Sequence, residues 1–71
     1  MKNKKPLTER QAEVLEIIKA LIKAKGIPPT ISEIAEADGV TLNAAHGHIE
    51  ALKKKEWITR EAKVSRGIRV L

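Results

Sequence analysis

Thr30-Ile31-Ser32-Glu33-Ile34-Ala35-Glu36-Ala37-Asp38-Gly39-Val40-Thr41-Leu42-Asn43-Ala44-Ala45-His46-Gly47-His48-Ile49-Glu50-Ala51-Leu52-Lys53-Lys54-Lys55-Glu56 reads as two capped helices joined by a very short turn. Thr30-x-x-Glu33 has the spacing of a capping box, in which the hydroxyl accepts an orphan N–H and the Glu reaches back. Ile31, Ile34 and Ala35 make one apolar stripe before Gly39 stops the helix, with Val40 as the apolar anchor of the turn. Thr41 is a second N-cap, followed by Leu42 to Glu56 with Ala45, Ile49 and Leu52 on one face. Helices joined this tightly cross steeply, so the second keeps a free outer face. In a chain of net charge +5, that is the layout of a helix-turn-helix, whose second helix enters the DNA major groove.

Working outward, residues 1–6 (Met1-Lys2-Asn3-Lys4-Lys5-Pro6) read as a flexible basic arm, and residues 7–71 as one domain. Thr8-x-x-Gln11 is another capping box, with Glu9 well placed against the helix dipole. Val14, Leu15, Ile18, Leu21 and Ile22 follow at helical spacing, and Gly26 suits the position just past the end. Ile27-Pro28-Pro29 predicts an extended bridge. Beyond Glu56, Trp57-Ile58-Thr59-Arg60 and Ile68-Arg69-Val70-Leu71 are β-prone and flank a polar connection ending in Gly67. A hairpin this short is not stable alone, so it must lie on the helices as a wing, with Trp57 its expected anchor. The expected fold is α+β, mostly α: a winged helix-turn-helix of three helices and a two-stranded hairpin.

The totals narrow the class. Seventy-one residues is near the lower size for a self-sufficient core, and Trp57 is the only aromatic residue. With no cysteine, neither a disulfide framework nor a cysteine-based zinc site is available. The basic start lacks a following apolar segment, and no stretch is long enough to span a bilayer. The expected setting is a soluble, cytoplasmic domain, with no membrane and no small-molecule ligand. The chain has fourteen Lys and Arg against nine Asp and Glu. The acids lie mostly between Glu9 and Asp38, while the chain from Lys53 on is dominated by Lys53, Lys54, Lys55, Arg60, Lys63, Arg66 and Arg69. That asymmetry points to a polyanion, against the plain alternative of a solvated surface.

At about 100° per residue, the side of the third helix opposite its core carries Asn43, Gly47, Glu50 and Lys54, with Ala44 and His46 beside them. Asn43 donates and accepts together, matching the adenine N6/N7 edge, a contact worth ~1–3 kcal/mol of discrimination. Its alternative is a first-turn residue satisfying local backbone. Gly47 costs about 1 kcal/mol relative to Ala inside a helix. Close approach of the backbone to bases would explain it, as would tolerated drift. His46 is a donor to guanine or phosphate, or plain surface. Glu50 accepts from cytosine N4, or pairs with Lys54 four residues on. His46 and His48 sit two apart and point roughly 200° away from each other, so they cannot share a metal. His48 is expected to pack near the core.

Lys53 and Lys54 complement the helix dipole and are candidate phosphate contacts. Ser65 and Arg66, beside Gly67 at the wing tip, are set for phosphate or the minor groove, or form a polar turn. Thr30 and Ser32, at a helix amino terminus, can offer N–H groups and hydroxyls to a phosphate.

Leu7-Thr8-x-Arg10-Gln11-x-Glu13-Val14-Leu15, Gly26-Ile27-Pro28-Pro29-Thr30, Glu33-Ile34-Ala35, Asn43-Ala44-Ala45, His46-Gly47-His48-Ile49-Glu50-Ala51-Leu52 and Ser65-Arg66-Gly67-Ile68-Arg69 carry a resemblance in their order and spacing. Over essentially its whole length the chain resembles the amino-terminal DNA-binding domain of the LexA family, the bacterial SOS-response repressors. The resemblance implies a winged helix-turn-helix that binds palindromic operators as a dimer. It places recognition residues at Asn43, Ala44, His46 and Gly47, with Thr41 near phosphate. Full-length members add a domain that dimerises and cleaves itself with a Ser–Lys dyad. The chain ends at Leu71, so neither self-cleavage nor strong dimerisation is expected: a monomer or weak dimer alone, paired on palindromic DNA.

Three departures stand out from the family pattern. The turn between Gly39 and Asn43 is one residue shorter, which would rotate the recognition helix. Asp38 stands where a leucine packs, which would leave the second helix less well buried. Glu56 replaces a glycine, which would change how the third helix ends. Two rivals stand beside the double-stranded-DNA reading. A winged-helix protein-interaction module would show an apolar or acidic outer face on the third helix. An enzyme would need more than Ser32 and Ser65, neither of which has a base in its sequence neighbourhood, and no Gly-rich phosphate loop occurs. No cofactor is expected.

Overall fold

The computed structural model describes residues 4–61 and 63–71; expectations that fall on residues 1–3 and 62 lie outside it. The element order is α1 (Glu9–Lys25), α2 (Ile31–Asp38), α3 (Leu42–Lys54), β1 (Ile58–Arg60) and β2 (Ile68–Val70). Each helix begins where a threonine hydroxyl meets a free N–H. Thr8 and Thr30 form complete capping boxes with Gln11 and Glu33, and Thr41 accepts from the Ala44 N–H. Two of the helices stop at left-handed glycines, Gly26 at φ 70° and Gly39 at φ 71°. At Gly26 the N–H returns to the Ile22 carbonyl in a single αL bond. At Gly39 the bond pair is that of a Schellman motif, with Val40 N–H reaching the Ala35 carbonyl and Gly39 N–H the Glu36 carbonyl.

The third helix ends the same way without a glycine. Its last turn closes with Trp57 N–H on the Leu52 carbonyl and Glu56 N–H on the Lys53 carbonyl. Glu56 takes the left-handed position at φ 67°, so the helix stops at Lys54, two residues short of the sequence expectation. An L side chain in that region costs about 1–2 kcal/mol. Replacing Glu56 by Gly should therefore stabilise the domain by about 1 kcal/mol, read as a higher urea midpoint at unchanged slope.

Val14, Leu15 and Ile18 of α1, Ile31, Ile34 and Ala35 of α2, and Ala45, Ile49 and Leu52 of α3 form one buried cluster. Pro29 of the bridge is also fully buried. The expected loosening of α2 by Asp38 does not occur, because α1 supplies a partner. Arg10 Nη2 lies 2.7 Å from Asp38 Oδ2, and the aspartate side chain is only 4% exposed. The last turn of α2 has no basic residue of its own, so Arg10 also provides the cation that a helix carboxyl end favours.

The strands pair antiparallel with Ile58 opposite Val70, Thr59 opposite Arg69 and Arg60 opposite Ile68. Ile58 and Ile68, each 1% exposed, are the main anchors of the hairpin. Trp57, expected in that role, is only half-buried and packs at the edge of the core. Its indole does something else. Trp57 Nε1 donates to the Lys5 carbonyl at 2.6 Å, and the Lys4 ammonium sits 4.9 Å from the ring centroid. Lys5 N–H also donates to the Lys55 carbonyl. The described end of the basic arm is thus tied to the base of the wing.

Candidate nucleic-acid interface

Capping by Thr41 and burial of Ala45, Ile49 and Leu52 fix the rotation of α3 about its own axis. Asn43, Ala44, Gly47, Glu50, Lys53 and Lys54 consequently all lie exposed. His46 is half-buried at the margin of this face. His48 is also half-buried rather than packed into the core, which the three aliphatic residues already close. Glu50 and Lys54 do not form an ion pair within 4 Å among the described residues. Both charges therefore face solvent independently. Leu42, read from sequence only as the start of the helix, is 50% exposed beside Asn43.

No packing constraint among the described residues accounts for Gly47. A Cβ built there would meet nothing within 4 Å. Gly47→Ala should raise stability by about 1 kcal/mol, a shift of roughly 4–8 °C in thermal midpoint for a domain this size. If the α3 backbone lies against base edges, the same substitution should weaken duplex binding. Stability and affinity moving in opposite directions would tie Gly47 to the interface; both rising together would remove it.

The backbone-contact candidates separate into free and engaged groups. Thr41 is exposed, and its hydroxyl oxygen serves the Ala44 N–H. Its hydrogen remains able to donate. Ser32 is exposed, while the Thr30 oxygen accepts from Glu33 N–H in the capping box. On the wing, Ser65 is exposed but Gly67 is buried. A Cβ at Gly67 would stand 2.8 Å from the Glu61 Cβ and 3.0 Å from its backbone, so the loop closes only around glycine.

Arg66 folds back along the surface onto α2 and the bridge. Nη1 donates to Glu33 Oε1 at 2.8 Å and to the Pro28 carbonyl at 2.9 Å, and Nη2 donates to Glu33 Oε2 at 3.2 Å. The same carboxylate accepts Lys25 Nζ at 2.8 Å and the Thr30 N–H at 2.9 Å. The Arg66 guanidinium first, then Lys25 and the Thr30 N–H, hold the Glu33 carboxyl well below the usual carboxylate range. The sequence signalled Glu33 only as a capping residue. Its partners at Lys25 and Arg66 lie eight and thirty-three residues away, beyond the reach of any local pattern.

Three helices with a short turn between the second and third, a free face on the third and a hairpin laid against them define a winged helix-turn-helix domain. No helix among the described residues is long and apolar enough to cross a membrane. Comparison with known proteins gives the family. Residues 4–67 match the LexA DNA binding domain. The LexA repressor of Aeromonas hydrophila is 54% identical over 68 residues, covering 94% of this chain and 33% of that protein. The LexA repressor of Caldicellulosiruptor saccharolyticus is 45% identical over 69 residues, covering 96% of this chain and 34% of that protein. That of Leptospira interrogans is 40% identical over 67 residues. The chain belongs to the LexA DNA-binding domain family, and it spans about a third of the length of the curated relatives it matches.

Proposed function

We propose that this domain binds double-stranded DNA sequence-specifically, as the DNA-binding part of a LexA-type transcriptional repressor. In this reading α3 enters the major groove of a palindromic operator. Two copies sit on the two half-sites, about one or two helical turns apart. The observation that carries the reading is the exposed face of α3. It presents Asn43, Ala44, Gly47 and Glu50 toward a groove, His46 at its edge, and Lys53 and Lys54 at the end where phosphates would run. Thr41, Ser32 and Ser65 add hydroxyl contacts around it, with Thr30 at the α2 terminus. The names of the relatives, LexA repressor, support the same conclusion.

A protein-interaction module is the second reading. It calls for an apolar or acidic outer face on α3. Leu42, Ala44 and Glu50 answer that description among the exposed residues named there, against Asn43, Gly47, Lys53 and Lys54, which do not.

Selection from a random duplex pool at two salt concentrations tests the proposal. An enriched palindrome supports it, and absence of binding even at low salt overturns it in favour of the interaction module. Affinity should fall steeply as salt rises, because bound lysines displace condensed counterions. Lys54→Ala should weaken all duplexes alike and reduce the slope of log affinity against log salt by about 1. A change confined to one base pair would instead make Lys54 a base reader.

A further inference from the structure

Building on the DNA-binding reading, the geometry points to Arg66 and Glu33 as a pair of positioning residues: they clamp the wing to the helix-turn-helix, and Arg66 serves this clamp instead of a phosphate. The wing rests on two three-residue strands, too little to hold a hairpin in one place by themselves. Ile58 and Ile68 fix its base. Its tip carries Ser65 and Lys63 and is exposed, so it needs a separate tie.

Arg66 supplies that tie from the end of the loop. The two-pronged contact with Glu33 sets direction as well as distance, since both guanidinium nitrogens must meet both carboxylate oxygens. The third bond, to the Pro28 carbonyl, adds the α1–α2 bridge. Glu33 is itself held from two further sides, by the Thr30 N–H and by Lys25 at the end of α1. Together, Glu33 and Arg66 therefore join α1, the bridge, α2 and the wing. Gly67 completes the device: the close approach to Glu61 turns the chain immediately after Arg66 and aims the guanidinium inward. A DNA phosphate could take the fork only by displacing Glu33, which would break both Arg66–Glu33 bonds. The clamp instead fixes the separation between the wing's Ser65 and the helix termini at Thr30 and Thr41. The domain then meets the DNA backbone with its contacts already spaced.

Amide exchange in the free protein and duplex affinity in the same variants test this. Glu33→Gln keeps an oxygen for the Thr30 N–H and loses the charge. Glu33→Gln and Arg66→Gln should each speed exchange at the Glu61 and Gly67 amides, which close the wing loop, by about tenfold, with α1 and α3 core amides unchanged. On a selected duplex each should bind about tenfold more weakly, the double variant no worse than the weaker single, with an unchanged salt slope. Arg66→Lys keeps the charge but not the fork, so it should bind as poorly as Arg66→Gln. The proposal is overturned if wing exchange is unaffected. It is equally overturned if Arg66→Lys binds like the parent while Arg66→Gln flattens the salt slope by about 1. Should the parent protein bind no duplex, the DNA-binding reading fails, and the exchange result still decides the clamp.

Discussion

Arg10→Met should cost the domain about 2–3 kcal/mol. The substitution removes the only close cation among the described residues from an aspartate side chain that is 4% exposed, at the carboxyl end of a helix where negative charge is already unfavourable. Arg10 itself is 42% exposed, so solvent screening keeps the figure below that of a fully buried pair. For a domain of 71 residues, total stability is roughly 4–10 kcal/mol, and the loss is a large share of it. Urea unfolding followed by helix signal would show it as a lower midpoint with the same slope. The double variant Arg10→Met with Asp38→Leu should recover most or all of the loss, because apolar replacement of both partners leaves no charge without a counterion. A single variant as stable as the parent would mean that the pair contributes nothing. A double variant no better than the single would mean that Asp38 is not the source of the cost.

Asn43→Ala should remove about 1–3 kcal/mol of discrimination at one base pair and little elsewhere. Asn43 lies exposed in the first turn of α3 and is not part of the core. Alanine is the better helix former there, so the variant should be at least as stable as the parent. Weaker binding then cannot be blamed on unfolding. Competition between the selected duplex and its single-base-pair variants would show preference relaxing at a single A·T position. If every position keeps its preference, Asn43 does not read a base.

Helix ends and faces were legible in the sequence because the interactions that set them are local. Thr8 with Gln11 and Thr30 with Glu33 close within four residues. Gly26 and Gly39 supply left-handed backbone where other residues resist it. The 3.6-residue period singled out Ala45, Ile49 and Leu52, and burying them dictated which side of α3 stays open. The same local logic fails at Glu56. Its composition continues a helix, but Trp57 and Ile58 must reach the core edge and the sheet, and the chain turns left-handed to deliver them.

The sequence by itself therefore determined the three helices, the wing and the face of α3 that stays exposed, since caps, glycines and periodicity act over a single turn of chain. Tertiary structure alone decided where the charges went. Asp38 meets Arg10 across 28 residues, Glu33 meets Arg66 across 33, and the Trp57 indole takes the Lys5 carbonyl across 52. Long side chains reach several ångströms in many directions, and no spacing rule says which opposite charge will be there. The packed aliphatic core fixes that by bringing α1, α2 and the wing to one set of distances.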